Sequence, residues 1–236
     1  VSTPVRVASA RAPSAAAGID RRIAPAILAI IVAIILIGFA KNFYLRAWLG
    51  TRTLILTAWV HGFVMSAWLA LFLVQIVLVA RGRVDAHRRV GRCGLVLAGA
   101  VVCVGVLTIA VRARLMYPAA GAGRYAAVFV AFDGVSLLLF GVLVALALNY
   151  RRTPRIHRRL MTMAMVALLP PALGRLVAYF RHDHVEVLVV GLMVATVLVC
   201  VAADTLRTRH PQPATMLPGT LIIAVNAATC IAQLSI

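Results

Sequence analysis

The sequence predicts an all-α protein, a polytopic transmembrane bundle of about seven spanning helices. The 236 residues are 63% hydrophobic, with a mean hydropathy of +1.01. Charged residues make up only 13% and gather in short clusters between long apolar runs. Each run is close to or above the ~17–25 residues that a spanning helix needs.

In order, the runs are 24–40, 54–80, 93–111, 125–149, 160–180, 185–203 and 215–236. They use up nearly all of the chain, so 23–236 reads as a single transmembrane domain. Residues 1–22 are rich in Ala, Pro, Ser and Arg and show no hydrophobic period, as expected of a mobile basic tail. The first run has a second reading as a signal peptide, because Gly38-Phe39-Ala40 resembles a small-residue cleavage site. Its length, and the lack of a soluble domain behind it, favour a span.

Alternating the runs across a bilayer sorts the 24 Lys and Arg residues into two sets. Sixteen fall on the side of the amino tail, in clusters from Arg6 to Arg22, Arg81 to Arg92, Arg151 to Arg159, and at Arg207 and Arg209. Seven fall on the other side: Lys41, Arg46, Arg52, Arg112, Arg114, Arg124 and Arg181. Arg175 alone lies inside a run. Because basic connections stay in the cytoplasm, the expected setting is a bacterial inner membrane with the amino end cytoplasmic and the carboxyl end periplasmic. A net charge of +18 would suggest nucleic acid for a soluble protein. At helix ends the same residues meet anionic lipid headgroups instead, so the expected partner is the bilayer and not nucleic acid. Cys93, Cys103, Cys200 and Cys230 lie in or beside apolar runs and form no C-x-x-C, so they read as small buried hydrophobes.

Ionisable groups within spans are costly and mark candidate sites. His61, Asp133 and Arg175 fall on three different helices, each roughly 8–14 Å from the same face of the membrane at about 1.5 Å of rise per residue. Asp133 is expected to be the one intramembrane carboxylate, and an Asp133–Arg175 ion pair is predicted, since each charge alone would be expensive. His61 then becomes the titrating or ligating group. His61, Trp68 and Gln75 are seven residues apart, with Met65 and Phe72 between them, which makes this the inward face of the second span. Pro170-Pro171 should kink the fifth span just before Arg175, freeing carbonyls near Val166 and Ala167. Asn226 in the last span offers a further polar wall.

Three histidines, His87, His157 and His210, sit at the opposite boundary among arginines. His87-Arg88-Arg89 and His157-Arg158-Arg159 open the third and fifth spans seventy residues apart, either a trace of duplication or two basic helix starts. A b-type heme needs two axial histidines at matched depth with cations for its propionates. His87 and His157 meet the depth condition. His61 has no intramembrane histidine at its own level, and only His182 and His184, in a connecting loop, offer themselves as partners.

The residues His61-Gly62, Trp68, Gln75, Arg83, His87-Arg88-Arg89 and Gly91, followed by His157-Arg158-Arg159-Leu160-Met161 and His210-Pro211, resemble a family of uncharacterised bacterial multi-pass membrane proteins across most of spans two to seven. Over spans two to five the order is similar to that of proteins compared with two-heme cytochromes of the b561 type. That likeness implies heme b as a cofactor. The fourth span departs from it, having Asp133 where a histidine would be wanted.

No phosphate-cradling Gly-rich loop, H-E-x-x-H or G-x-S-x-G occurs, so hydrolase and kinase chemistry has no motif here. The expected function is a small-molecule or proton-coupled binding or transport site in the outer half of the bundle. The alternatives are a b-heme electron carrier and an accessory or structural membrane subunit.

Overall fold

The structure, a computed structural model, describes residues 15–51, 53–116, 122–180 and 185–235. Its helices are α1 (Ala15–Phe39), α2 (Arg46–Leu49), α3 (Leu56–Ala80), α4 (Val84–Met116), α5 (Ala122–Asn149), α6 (Pro154–Ala167), α7 (Pro170–Phe180), α8 (Val185–Thr208) and α9 (Pro213–Leu234), with a π-helical turn, Ala40–Tyr44, after α1. Among the described residues there is no strand. Among the described residues six helices are long and apolar enough to cross a membrane, or seven if the bent pair α6–α7 counts as one span. The all-α polytopic bundle is therefore the observed fold.

Short turns force neighbouring helices to run antiparallel. Gly82, with φ of 70°, closes the α3–α4 turn in the left-handed region that glycine enters without strain. Pro154 and Pro213 stand at the starts of α6 and α9, where a missing N–H costs nothing. Helix α5 is central: it packs on α4, α6 and α9, and its Phe140 and Ala147 are fully buried. Met163, Leu169, Met193 and Ile222 complete the core from α6–α7, α8 and α9. Large apolar side chains point outward along whole helices, such as Leu95, Val96, Val106 and Leu107 on α4 and Leu188, Leu192, Val199 and Leu206 on α8. An apolar exterior of this length suits lipid.

Three boundaries differ from the sequence reading. Helix α1 reaches back to Ala15, into the segment assigned to the tail; residues 1–14 lie outside the described residues. Helix α4 begins at Val84 and runs to Met116, so His87 and Arg112 are helical rather than in connections. The fifth span is two helices meeting at 44°. The break falls at Leu168–Leu169, before the prolines, and Pro170 and Pro171 occupy the first turn of α7. The prolines thus start a helix instead of bending one. The Val166 carbonyl is not freed, because the Leu169 N–H bonds to it at 3.0 Å.

Helix α1 joins the bundle through Gly38. A Cβ there would collide with the backbone of Ala172 in α7, so only glycine allows this approach. The Tyr179 hydroxyl donates to the Gly38 carbonyl at 3.0 Å and accepts from the Lys41 N–H at 3.3 Å. Gly38 is thus a packing residue, whatever its likeness to a cleavage site.

Candidate functional site

The end of the bundle where α3, α5 and α8 begin is the arginine-poor one. There Arg175 of α7 lies within electrostatic reach of Asp133 on α5, Arg112 on α4 and His61 on α3. Arg175 is thus the group that the other predicted residues share, with Arg112 as a fourth that the sequence reading had placed outside the membrane. Its position was legible only from where α4 ends.

The predicted direct ion pair is not formed. Arg175 Nη1 donates to the Pro171 carbonyl one turn earlier at 2.7 Å, and its guanidinium lies over the Phe39 ring at 4.7 Å. Beginning α7 at two prolines sets that carbonyl where the side chain can fold back onto it. The Arg112 and Arg175 guanidiniums both act electrostatically on Asp133, Arg112 the more strongly.

Aromatic groups wall the site on the α1–α3 side. Phe43 of the π turn packs against Tyr44, Trp59 and Phe63 at 5.2–5.7 Å, and the Arg46 guanidinium covers Trp59 at 5.1 Å. Gly62, next to His61, leaves the space that the Phe43 ring fills. The Tyr44 hydroxyl and Ser66 Oγ are hydrogen-bonded at 3.1 Å. Such a belt, with Trp48 82% exposed beyond it, matches a membrane–water boundary.

Asn226 does not join this cluster. It lines a separate cavity between α5, α7, α8 and α9, reached by Phe132 and Gly174, the neighbours of Asp133 and Arg175, but by neither charged residue. Adjacent positions on a helix point ~100° apart, so the two sites lie on different sides of α5 and α7.

At the arginine-rich end, His87 and His157 are brought together, with ring centroids 6.3 Å apart and planes at 84°. His157 Nδ1 donates to the Ala147 carbonyl at 2.7 Å, which places a proton on Nδ1, so that in the neutral ring the lone pair is on Nε2. The predicted stripe of α3 ends here. Trp68 is buried, with its N–H on Met165 Sδ at 3.2 Å and its ring edge-on to Phe140, while Gln75 reaches α4. In the satisfied orientation of the Gln75 amide, its nitrogen donates to His87 Nδ1 and its oxygen accepts from the Gly91 N–H at 2.8 Å. His87 then carries its proton on Nε2. His182 and His184 lie outside the described residues.

One charged pair was missed in sequence. Arg159 Nε donates to Asp204 Oδ2 at 2.6 Å, with the side chains 7% and 12% exposed, and the Thr215 hydroxyl donates to the same oxygen at 2.7 Å. The network ties α6 to α8 and α9. Asp133 is therefore not the sole carboxylate within a span. The available signal was Asp204 itself, an acid preceding Arg207 on the last turns of an apolar run. Of the cysteines, Cys200 and Cys230 are buried as expected, whereas Cys93 and Cys103 face outward on α4. Among the described residues no three His, Cys, Asp or Glu side chains converge as a metal site would require.

Comparison with protein-family models, with curated proteins and with solved structures gave no match.

Proposed function

We propose that this chain is a bacterial inner-membrane protein, amino end cytoplasmic and carboxyl end periplasmic, whose polar site at the periplasmic end serves small-molecule or proton-coupled binding or transport. The orientation rests on the arginine asymmetry between the two ends. The site comprises His61, Arg112, Asp133 and Arg175. One observation carries the reading: Asp133 lies within electrostatic reach of two guanidiniums, Arg112 and Arg175, and makes no direct ion pair with Arg175. A pair serving only to pin helices would close on itself, because a buried charge left at a distance is expensive. Arg175 also acts on His61, so a ligand or a proton taken up here would bias the balance of these groups.

Thermal unfolding of the reconstituted protein, against a panel of small carboxylates, amines and sugars at pH 5 and 8, tests this. A ligand effect that depends on pH should disappear in His61→Ala. If it persists unchanged, His61 is not the titrating group and the reading fails.

The His87–His157 separation favours a second reading, a b-heme electron carrier. Two imidazoles ligating one metal ion from opposite sides, with metal–nitrogen bonds of ~2.0–2.1 Å, place their ring centres about 6 Å apart. His157, its Nδ1–H held by a carbonyl, fits a ligand, as metal-bound histidines usually are. His87 fits only after Gln75 turns over, so that its amide oxygen accepts from Nδ1–H and Nε2 becomes free. Purified protein that stays colourless after expression with added heme would dispose of this reading.

A further inference from the structure

The cavity between α5, α7, α8 and α9 has a built polar interior. Its volume is about 160 Å³, close to the ~150 Å³ that accommodates a six-carbon ring. Asn226 is 3% exposed. Its Nδ2 donates to the Ile222 carbonyl at 2.8 Å, which fixes the amide orientation and turns Oδ1 away from the backbone of α9. That Oδ1 has no hydrogen-bond partner. A buried acceptor without a donor costs free energy comparable to a lost hydrogen bond, and such an atom beside a cavity asks for a ligand donor.

The other polar lining groups are Glu186, Thr229 and Gln233. Glu186 is in the first turn of α8 and forms no ion pair among the described residues. The described lining contains no cation, and the walls, Phe132, Pro170, Val185, Val189 and Val190, are apolar. Because α8 and α9 run antiparallel, Glu186 lies level with Gln233 at the mouth. Asn226 lies seven residues deeper, about 10 Å along the helix. Subtracting two hydrogen bonds of ~2.8 Å leaves about 5 Å between the ligand's terminal donors, which a four-carbon amino alcohol, about 6 Å long when extended, meets with one gauche bend.

We propose that this cavity binds a short amphiphilic amine, with an ammonium group at Glu186, an apolar linker of about four carbons along the valine wall, and a terminal hydroxyl donating to Asn226 Oδ1. The hydroxyl suits the deep end because a second charge there would be desolvated against a neutral amide. This site is independent of His61, Asp133 and Arg175.

Saturation-transfer NMR on nanodisc-embedded protein, with empty nanodiscs as the blank and 4-amino-1-butanol as the probe, tests it. Saturable binding is expected, weakened at least tenfold in Glu186→Gln and at least tenfold for 1,4-butanediol, which lacks the charge. 1-Butylamine, lacking the hydroxyl, should bind more weakly to the wild type and equally to Asn226→Leu, so that variant erases the preference for the amino alcohol. Should Asn226→Leu not fold, the Glu186→Gln arm decides, because Glu186 is partly exposed and outside the buried core. Absence of saturable binding to the wild type, or equal binding by Glu186→Gln, would overturn the proposal.

Discussion

Removing one partner of the Arg159–Asp204 pair should destabilise the bundle far more than removing both. The nitrogen and oxygen are 2.6 Å apart, with side-chain exposures of 7% and 12%, so neither charge has much water to fall back on. At that distance the gross attraction is about 6 kcal/mol for an effective dielectric of ~20, and desolvation of two ions offsets much of it. Arg159→Met leaves Asp204 buried with only the Thr215 hydroxyl, and Asp204→Leu leaves a buried guanidinium; each is expected to cost about 3–5 kcal/mol. The double variant, apolar on both sides, should lie within about 1–2 kcal/mol of wild type. Thr215→Val removes one charge-assisted hydrogen bond, about 1.5–3 kcal/mol in the wild type and near zero in Asp204→Leu. Reversible unfolding in mixed micelles, analysed as a double-mutant cycle, measures these differences. Additive single losses, with a double variant as unstable as their sum, would refute the argument that the two charges satisfy each other.

Gly38→Val should lower stability by about 1–3 kcal/mol or more, because the new side chain meets the Ala172 backbone, which cannot step aside alone. The same unfolding assay reads it; a neutral result would place α1 elsewhere. Pro170→Ala with Pro171→Ala should change stability by less than about 1 kcal/mol and preserve the α6–α7 bend, since both prolines occupy a first helical turn that needs no N–H. Spin-label distances across the joint would expose a straightened helix if that is wrong. Trp68→Phe should cost about 1–2 kcal/mol, from a smaller ring at a buried position and the lost N–H contact to Met165.

Hydrophobic runs made the spans legible, because a lipid-facing helix must announce its length in consecutive apolar residues. Boundaries were less so. Helix α4 continues through Arg88, Arg89 and Arg92 at one end and Arg112 at the other, since an aqueous helical turn tolerates charges that hydropathy treats as an end. Membrane depth alone put His61, Asp133 and Arg175 in one layer, and Arg175 lies within electrostatic reach of the other two. Depth says nothing about rotation around a helix axis, which is why Asn226 faces a different cavity and Arg175 folds back onto Pro171. The same limit hid Arg159. It looks like one more basic residue at a helix start, and only the packing of α6 against α9 and α8 turns it inward onto Asp204.

The central claim is that His61, Asp133, Arg112 and Arg175 act as one electrostatically coupled site. Its most direct test is the pH titration of the His61 imidazole by NMR in isotopically labelled, nanodisc-embedded protein, compared with Arg175→Gln and Asp133→Asn. His61 should titrate as a single group in the wild type, and each substitution should move its midpoint, in opposite senses for loss of a cation and loss of an anion. A His61 midpoint that stays the same in all three proteins would contradict the account.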